Sequence, residues 1–167
     1  MKTQLIEIIP MISAHWAEVA NIYKEGIETG MATFEKEVPS WEYWDSQHIK
    51  TCRLVATMQG SVVGWAGLSP VSSRCVYGGV AEVSVYVSPD ARGKGVGEQL
   101  MKSLISESEL RGYWTLQSGI FPENKASIKL HEKSGFRCIG FRERIGQLNG
   151  IWKNNILMER RSKTAGL

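Results

Sequence analysis

Cysteine is scarce and poorly placed for bonding: Cys52, Cys75 and Cys138 are far apart, odd in number and contain no C-x-x-C pair. That excludes a disulfide framework and a cysteine-based zinc site, and no metal is expected; a reducing cytosol is the simplest home for such a chain. Long apolar runs are missing too. The stretch 5–9 carries Glu7 and stops at Pro10, far short of a signal peptide or a membrane span. Nor does charge of one sign dominate. Twenty Lys and Arg are scattered among 17 Asp and Glu, a net +3, so neither nucleic acid nor a membrane is an expected partner, while the small excess suits a phosphorylated ligand. No internal repeat or low-complexity tract is present. What remains is a chain of 167 residues, 43% hydrophobic and 22% charged, long enough for one soluble domain with a real core.

Periodicity and punctuation give the element order. Residues 4–9 read as a strand closed by Pro10, and 12–28 as a helix with Trp16, Val19, Ala20, Tyr23 and Ile27 on one face, closed by Gly30. Ser40 is an N-cap for a short helix reaching about residue 50, with its tryptophans and tyrosine turned inward. Strands follow at 54–58 and 62–68, joined by Gln59-Gly60-Ser61, and at 81–87 after a polar loop. A helix over 96–111 stops at Gly112. Then come a strand at 114–120, a helix at 125–133, and strands at 137–145 and 152–159. The order β-α-α-β-β-β-α-β-α-β-β predicts a mixed α/β layer, helices packed on a largely antiparallel sheet. Residues 1–162 form the single domain, and 163–167 are expected to fray.

The most specific stretch runs from residue 83 to 97, where Val-Ser-Val-Tyr-Val-Ser-Pro leads into Asp-Ala-Arg-Gly-Lys-Gly-Val-Gly and a helix. Main-chain N–H groups with little side-chain bulk, aimed with a helix N-terminus at one spot, make a cradle for a diphosphate. Spacing separates the known cradles. No Ser or Thr follows Gly95, which excludes a Walker A loop, and Gly93, Gly95 and Gly97 do not have dinucleotide-fingerprint spacing. An ordinary glycine-rich turn is the other reading. The pattern Arg-x-x-Gly-x-Gly at Arg92, Gly95 and Gly97, after a Val-Tyr-Val strand, resembles the acyl-CoA loop of the GNAT N-acetyltransferases.

A second stretch, Asn-Lys-Ala-Ser-Ile-Lys-Leu-His-Glu-Lys-Ser-Gly-Phe at 124–136, is similar to that family's Asn-x-x-Ala/Ser-x-x-x-Tyr-x-x-x-Gly-Phe helix. The resemblance covers essentially the whole chain. It implies the GNAT fold: a mostly antiparallel sheet of about seven strands, splayed in the middle, with about four flanking helices. It also implies acetyl-CoA as co-substrate, held by the backbone of Val85, Tyr86 and Val87 and by Arg92, Gly93, Lys94, Gly95, Val96, Gly97 and Glu98. Asn124, Ser127 and Lys133 would reach the same ligand, though Asn124 is equally a good N-cap. His131 stands where many relatives have Tyr and is a candidate acid for the CoA thiolate, or else a half-exposed helix histidine.

Glu82 is the stronger catalytic candidate. Alternation puts Glu82, Ser84 and Tyr86 on one face of an apolar strand, where a carboxylate calls for explanation. As a base it would take a proton from an incoming ammonium through water, and partial desolvation would make it a better base. A solvated carboxylate or an ion pair with Arg74 is the alternative. Arg74, Tyr77 and Glu82 in Arg-x-x-Tyr-x-x-x-Ala-Glu, with Ile22-Tyr23, Ala32-Thr33-Phe34 and Gly150-x-Trp152, resemble the phosphinothricin acetyltransferase branch. That implies a homodimer acetylating the α-amino group of a small amine such as phosphinothricin, methionine sulfoximine or methionine sulfone. Arg74 would clamp the acceptor carboxylate, with Phe34 and Tyr77 as walls; a plain loop charge and a core anchor are the alternatives for Arg74 and Phe34. Gln147, Asn154 and Met31 depart from the branch pattern. Other acceptors (an aminoglycoside, a polyamine, a protein amine) and a non-catalytic acyl-CoA sensor are the competing functions.

Overall fold

Seven strands and four helices account for most of the chain in the computed structural model, which describes residues 5–167. The strands are β1 (Ile6–Pro10), β2 (Leu54–Met58), β3 (Ser61–Pro70), β4 (Val80–Val87), β5 (Thr115–Ile120), β6 (Arg137–Leu148) and β7 (Ile151–Arg161). The helices are α1 (Trp16–Glu28), α2 (Trp41–Gln47), α3 (Val96–Leu110) and α4 (Lys125–Lys133). Gln4, expected to begin the first strand, lies outside the described residues. The strands form one sheet in the order β1-β2-β3-β4-β5-β7-β6. Among the described residues only β4 and β5 run parallel; every other neighbouring pair is antiparallel.

Each face of the sheet buries one stripe of helix. Val83 and Ala81 from β4 join Leu100, Met101 and Leu104 of α3 in the larger core, while Val19 and Ile22 of α1 and Trp44 of α2 pack with Trp65 on the other side. Alternation along β4 produces the split: Val83, Val85 and Val87 face α3 and Tyr86 faces α1. Burial of this kind stabilises by roughly 1.5–3 kcal/mol per large apolar side chain.

Two turns and one arginine explain where the elements stop. Gln59 and Gly60 have φ of +51° and +81°, a two-residue turn that pairs Met58 with Ser61. Asn149 and Gly150, at +50° and +79°, do the same for β6 and β7, so both strands run longer than their apolar content predicts. Helix α2 begins as expected, with Ser40 Oγ accepting from the Tyr43 N–H at 3.2 Å, but ends at Gln47 instead of near residue 50. The buried Arg53 guanidinium takes the carbonyls of Asp45, His48 and Ile49, and the Ile49 N–H donates to Leu68 O of β3 at 2.8 Å. Groups that would continue the helix are occupied by distant partners. Tyr43, expected inside, is 60% exposed.

The C-terminal segment is tied back. Arg161 donates to the carbonyls of Ser162, Ala165 and Gly166, and Ser162 Oγ accepts from the N–H groups of Thr164 and Ala165. These bonds involve residues 164–166 of the segment expected to fray, and Leu167 is 97% exposed.

Candidate active site

β4 and β5 share three rungs, Val80–Glu82 beside residues 115–117, and part beyond them. A cleft of about 1010 Å³ opens at the fork. On its other edge β4 stays paired with β3, and the Ser88 N–H donates to Val63 O at 2.8 Å. Antiparallel alternation then turns the main-chain groups of Tyr86 toward β3 and those of Val83, Val85 and Val87 toward the cleft. Of the three expected backbone contacts, Val85 and Val87 are open and Tyr86 is not. Tyr86 offers its ring instead, stacked on Trp65 at 4.9 Å and 13°. Helix α1 crosses that ring at Gly26, where a Cβ would lie 2.5 Å from Tyr86 Cδ1.

At the far end of β4 the chain turns through Pro89–Ala91 into the glycine loop. Gly93 and Gly95 have φ of +74° and +82°, and a Cβ at either would meet nothing within 4 Å. Both glycines serve conformation, keeping the loop open. No side chain caps α3, so its first N–H groups and the positive end of its dipole are free for an anion. Arg92, Gly93, Gly95, Val96, Gly97 and Glu98 border the cleft, and Lys94 does not. A Cβ on Gly97 would touch Leu130 Cδ2 at 3.4 Å, so this glycine sets how closely α3 meets α4. Neither Arg92 nor Arg142, which also borders the cleft, joins an ion pair among the described residues. Open main-chain donors, an uncapped helix and an unpaired guanidinium fit a diphosphate.

Helix α4 closes that end. Asn124 is its N-cap, Oδ1 accepting from the Ser127 N–H at 3.2 Å while Nδ2 donates to Met31 O at 3.3 Å. Ser127 and Lys133 border the cleft. Lys133 Nζ donates to Glu98 Oε1 at 2.8 Å, which holds the Glu98 carboxyl below its usual range. Both charges expected to face a ligand thus neutralise each other across α3 and α4.

The two catalytic candidates differ in what they can do. Glu82 sits on the last shared rung, opposite Gln117, whose Nε2 donates to Glu82 Oε2 at 3.4 Å. Its carboxylate is exposed to the cleft rather than desolvated. His131 is buried, 3% exposed, not half-exposed. Its Nδ1–H donates to Ser127 O at 2.7 Å, the ring lies edge-on to Phe136, and burial pushes its pKa down. Nε2 is enclosed without a partner. At neutral pH the one ring proton is committed to a carbonyl, so the geometry gives His131 no proton to donate.

At the fork end of the cleft, the loop after α1 folds over the fork. Phe34 packs edge-on against Phe121 at 4.8 Å and covers Gly146, where a Cβ would lie 3.0 Å from its ring; it lines the cleft. Arg74 and Tyr77 do not. Arg74 lies over the Tyr77 ring at 5.6 Å on an exposed loop, and neither borders the cleft. Arg142 does, carried by a register shift between Arg142 and Gly146 with Arg144 at φ +48°. The Arg144 N–H donates to Asn154 Oδ1 at 2.9 Å, fixing a bulge that re-aims its neighbours. His48, Ser69 and Asn155 complete this wall. Burial pushes Tyr23, also in the lining, up to about 12. Among the described residues no three His, Cys, Asp or Glu side chains gather as metal ligands, and no helix is long and apolar enough to cross a membrane.

Comparison with known proteins bears on this cleft. The acetyltransferase (GNAT) family model matches residues 16–136. The phosphinothricin N-acetyltransferase of Alcaligenes faecalis is 32% identical over 152 residues, 85% of this chain and 75% of that protein. An L-methionine sulfoximine/L-methionine sulfone acetyltransferase of Pseudomonas paraeruginosa is 36% identical over 100 residues, 60% of this chain and 58% of that one. The crystal structure of a GNAT superfamily phosphinothricin acetyltransferase from Sinorhizobium meliloti, in complex with AcCoA, superposes with a TM-score of 0.86 at 27% identity, covering 96% of this chain and 90% of that one.

Proposed function

Because the chain belongs to the acetyltransferase (GNAT) family, we propose that it moves the acetyl group of acetyl-CoA to the α-amino group of a small amino-acid-like acceptor, of the phosphinothricin, methionine sulfoximine or methionine sulfone type. The observation that carries this reading is the position of Glu82 at the fork of β4 and β5. From there β4 runs five residues, about 17 Å, with open main-chain groups toward the glycine cradle. One strand thus links an anion site to a carboxylate.

Acetyl-CoA, when bound, supplies an activated acetyl thioester. The cradle from Arg92 to Gly97 binds the diphosphate, and the main-chain groups of Val85 and Val87 hold the extended arm as an added strand would. N–H groups on the same edge polarise the thioester carbonyl. Glu82 takes a proton from the acceptor ammonium through water, freeing the nitrogen to attack. With a thiol pKa of about 8.5 the sulfur leaves without help from His131. None of Cys52, Cys75 and Cys138 borders the cleft, which favours direct transfer in a ternary complex. In this reading Arg142, not Arg74, meets the acceptor carboxylate.

A cytoplasmic homodimer belongs to the same reading. The edge strand β6 exposes Ile139, Phe141 and Ile145, and Ile151 and Trp152 of β7 are exposed beside it, an apolar edge suited to a second copy; sedimentation at micromolar concentration tests it. For the reaction, release of free thiol from acetyl-CoA is measured against a panel of amines with and without a carboxylate. Turnover dependent on methionine sulfoximine or phosphinothricin is expected. A panel without turnover, with acetyl-CoA still bound, removes the reading.

A further inference from the structure

His48 belongs to neither sequence signature, yet three sets of contacts fix it in the acceptor wall. Arg53 clamps its segment through the carbonyls of Asp45, His48 and Ile49, at 2.9, 3.0 and 2.8 Å. Its ring stacks on Trp44 with centroids 3.9 Å apart and planes 14° from parallel. Nδ1 lies 2.8 Å from Trp44 O. A carbonyl can only accept, so Nδ1 carries the proton and Nε2 the lone pair. The ring rests on β3 at Gly67, where a Cβ would lie 3.5 Å from His48 Cδ2, the carbon bonded to Nε2. Gly67 pairs with Ser84, and Ser69, two residues along on the same face, pairs with Glu82. Two residues of strand span about 7 Å. His48 and Glu82 therefore border the same part of the cleft.

We propose that His48 Nε2 is a second proton acceptor for the acceptor amine, working beside Glu82. The inference rests on the transferase reading above. An ammonium loses two protons in becoming an N-acetyl amide. Glu82 takes the first, through water. The nitrogen lone pair then forms the N–C bond, the C–S bond breaks with its electron pair leaving on sulfur, and Nε2 takes the second proton. One of the two protons returns to the thiolate and the other goes to solvent.

The charges acting on His48 are Asp45 on α2 and Arg53 from the following loop, and Glu82 of β4 borders the same cleft. Burial outweighs them and holds its pKa below the ordinary 6.5, so the ring is neutral and able to accept at physiological pH. Below that pKa Nε2 is already protonated. Activity carried by His48 therefore falls as pH drops through a value under 6.5.

His48→Asn keeps a donor near the Nδ1 position and leaves nothing at Nε2. The expected result is a kcat about 100-fold lower, acetyl-CoA affinity unchanged, and loss of the acid-side limb of the kcat profile. His48→Ala with added imidazole should recover rate saturably. An active wild type whose His48→Asn variant keeps wild-type kcat and acid limb would overturn the role of His48 alone. Failure of imidazole to restore a folded, acetyl-CoA-binding His48→Ala would do the same. A wild type inactive on every amine overturns both this role and the transferase reading.

Discussion

Residues 83–98 and 124–133 supply nearly all of the cradle end of the cleft, whereas the acceptor end gathers Phe34, His48, Ser69, Glu82, Arg142 and Asn155 from separate elements. The cradle works through main-chain groups: open glycines, an uncapped helix, the free edge of a strand. The other wall presents side chains, Glu82 meeting Gln117 and His48 stacking on Trp44. A site made of backbone in consecutive residues leaves a spacing pattern, and one made of side chains brought together by topology leaves none.

If the halves are separable, damage to one should spare the other. Glu82→Gln should lower kcat by about 10²–10⁴-fold with acetyl-CoA affinity unchanged by calorimetry; equal loss of both would break the division. Within the acceptor wall, Arg142→Ala should raise KM for carboxylate-bearing acceptors by roughly 10–100-fold, the equivalent of a charge-assisted hydrogen bond of about 1.5–3 kcal/mol. Arg74→Ala should leave it within about twofold, since a loop charge outside the cleft contributes little.

The cradle offers the reverse experiment. Gly95→Val forces a β-branched residue to φ +82°, a cost of about 1–2 kcal/mol, so acetyl-CoA affinity should fall by about tenfold or more. Circular dichroism should be unchanged, because a Cβ at that position meets no atom. At the cradle the smaller effect is expected at Lys133. Its pair with Glu98 is exposed on both sides and screened by solvent, so Lys133→Ala should barely move the melting temperature and should weaken acetyl-CoA binding only a few-fold, less at high salt.

The same division governs what was legible beforehand. The end of α1 and the bounds of α3 and α4 follow from periodicity, from Asn124 as a cap and from Gly112 as a stop, all local signals, whereas α1 starts at Trp16 instead of residue 12 because Ser13–His15 form a 3-10 turn. The glycine loop was equally plain. The end of α2 was not, because Arg53 and Leu68 take its groups from a distance. Asn149-Gly150 did carry a hairpin signal, which the exposed character of β6 masked. Arg74 resembled a clamp by spacing alone, and the fold turns it onto Tyr77. Arg142 reaches the cleft through a bulge completed by Asn154 on the partner strand, and His48 through stacking on Trp44. Neither has a one-dimensional trace. His131 was visible, but the carbonyl that claims its proton is a matter of geometry.

The central claim, that one strand joins a CoA-binding end to an amine-activating end, is met most directly by mass spectrometry of the acceptor. Wild-type protein with acetyl-CoA and methionine sulfoximine or phosphinothricin is expected to yield acceptor acetylated on the α-nitrogen. Protein that binds acetyl-CoA yet leaves every amine offered to it unacetylated would contradict the account.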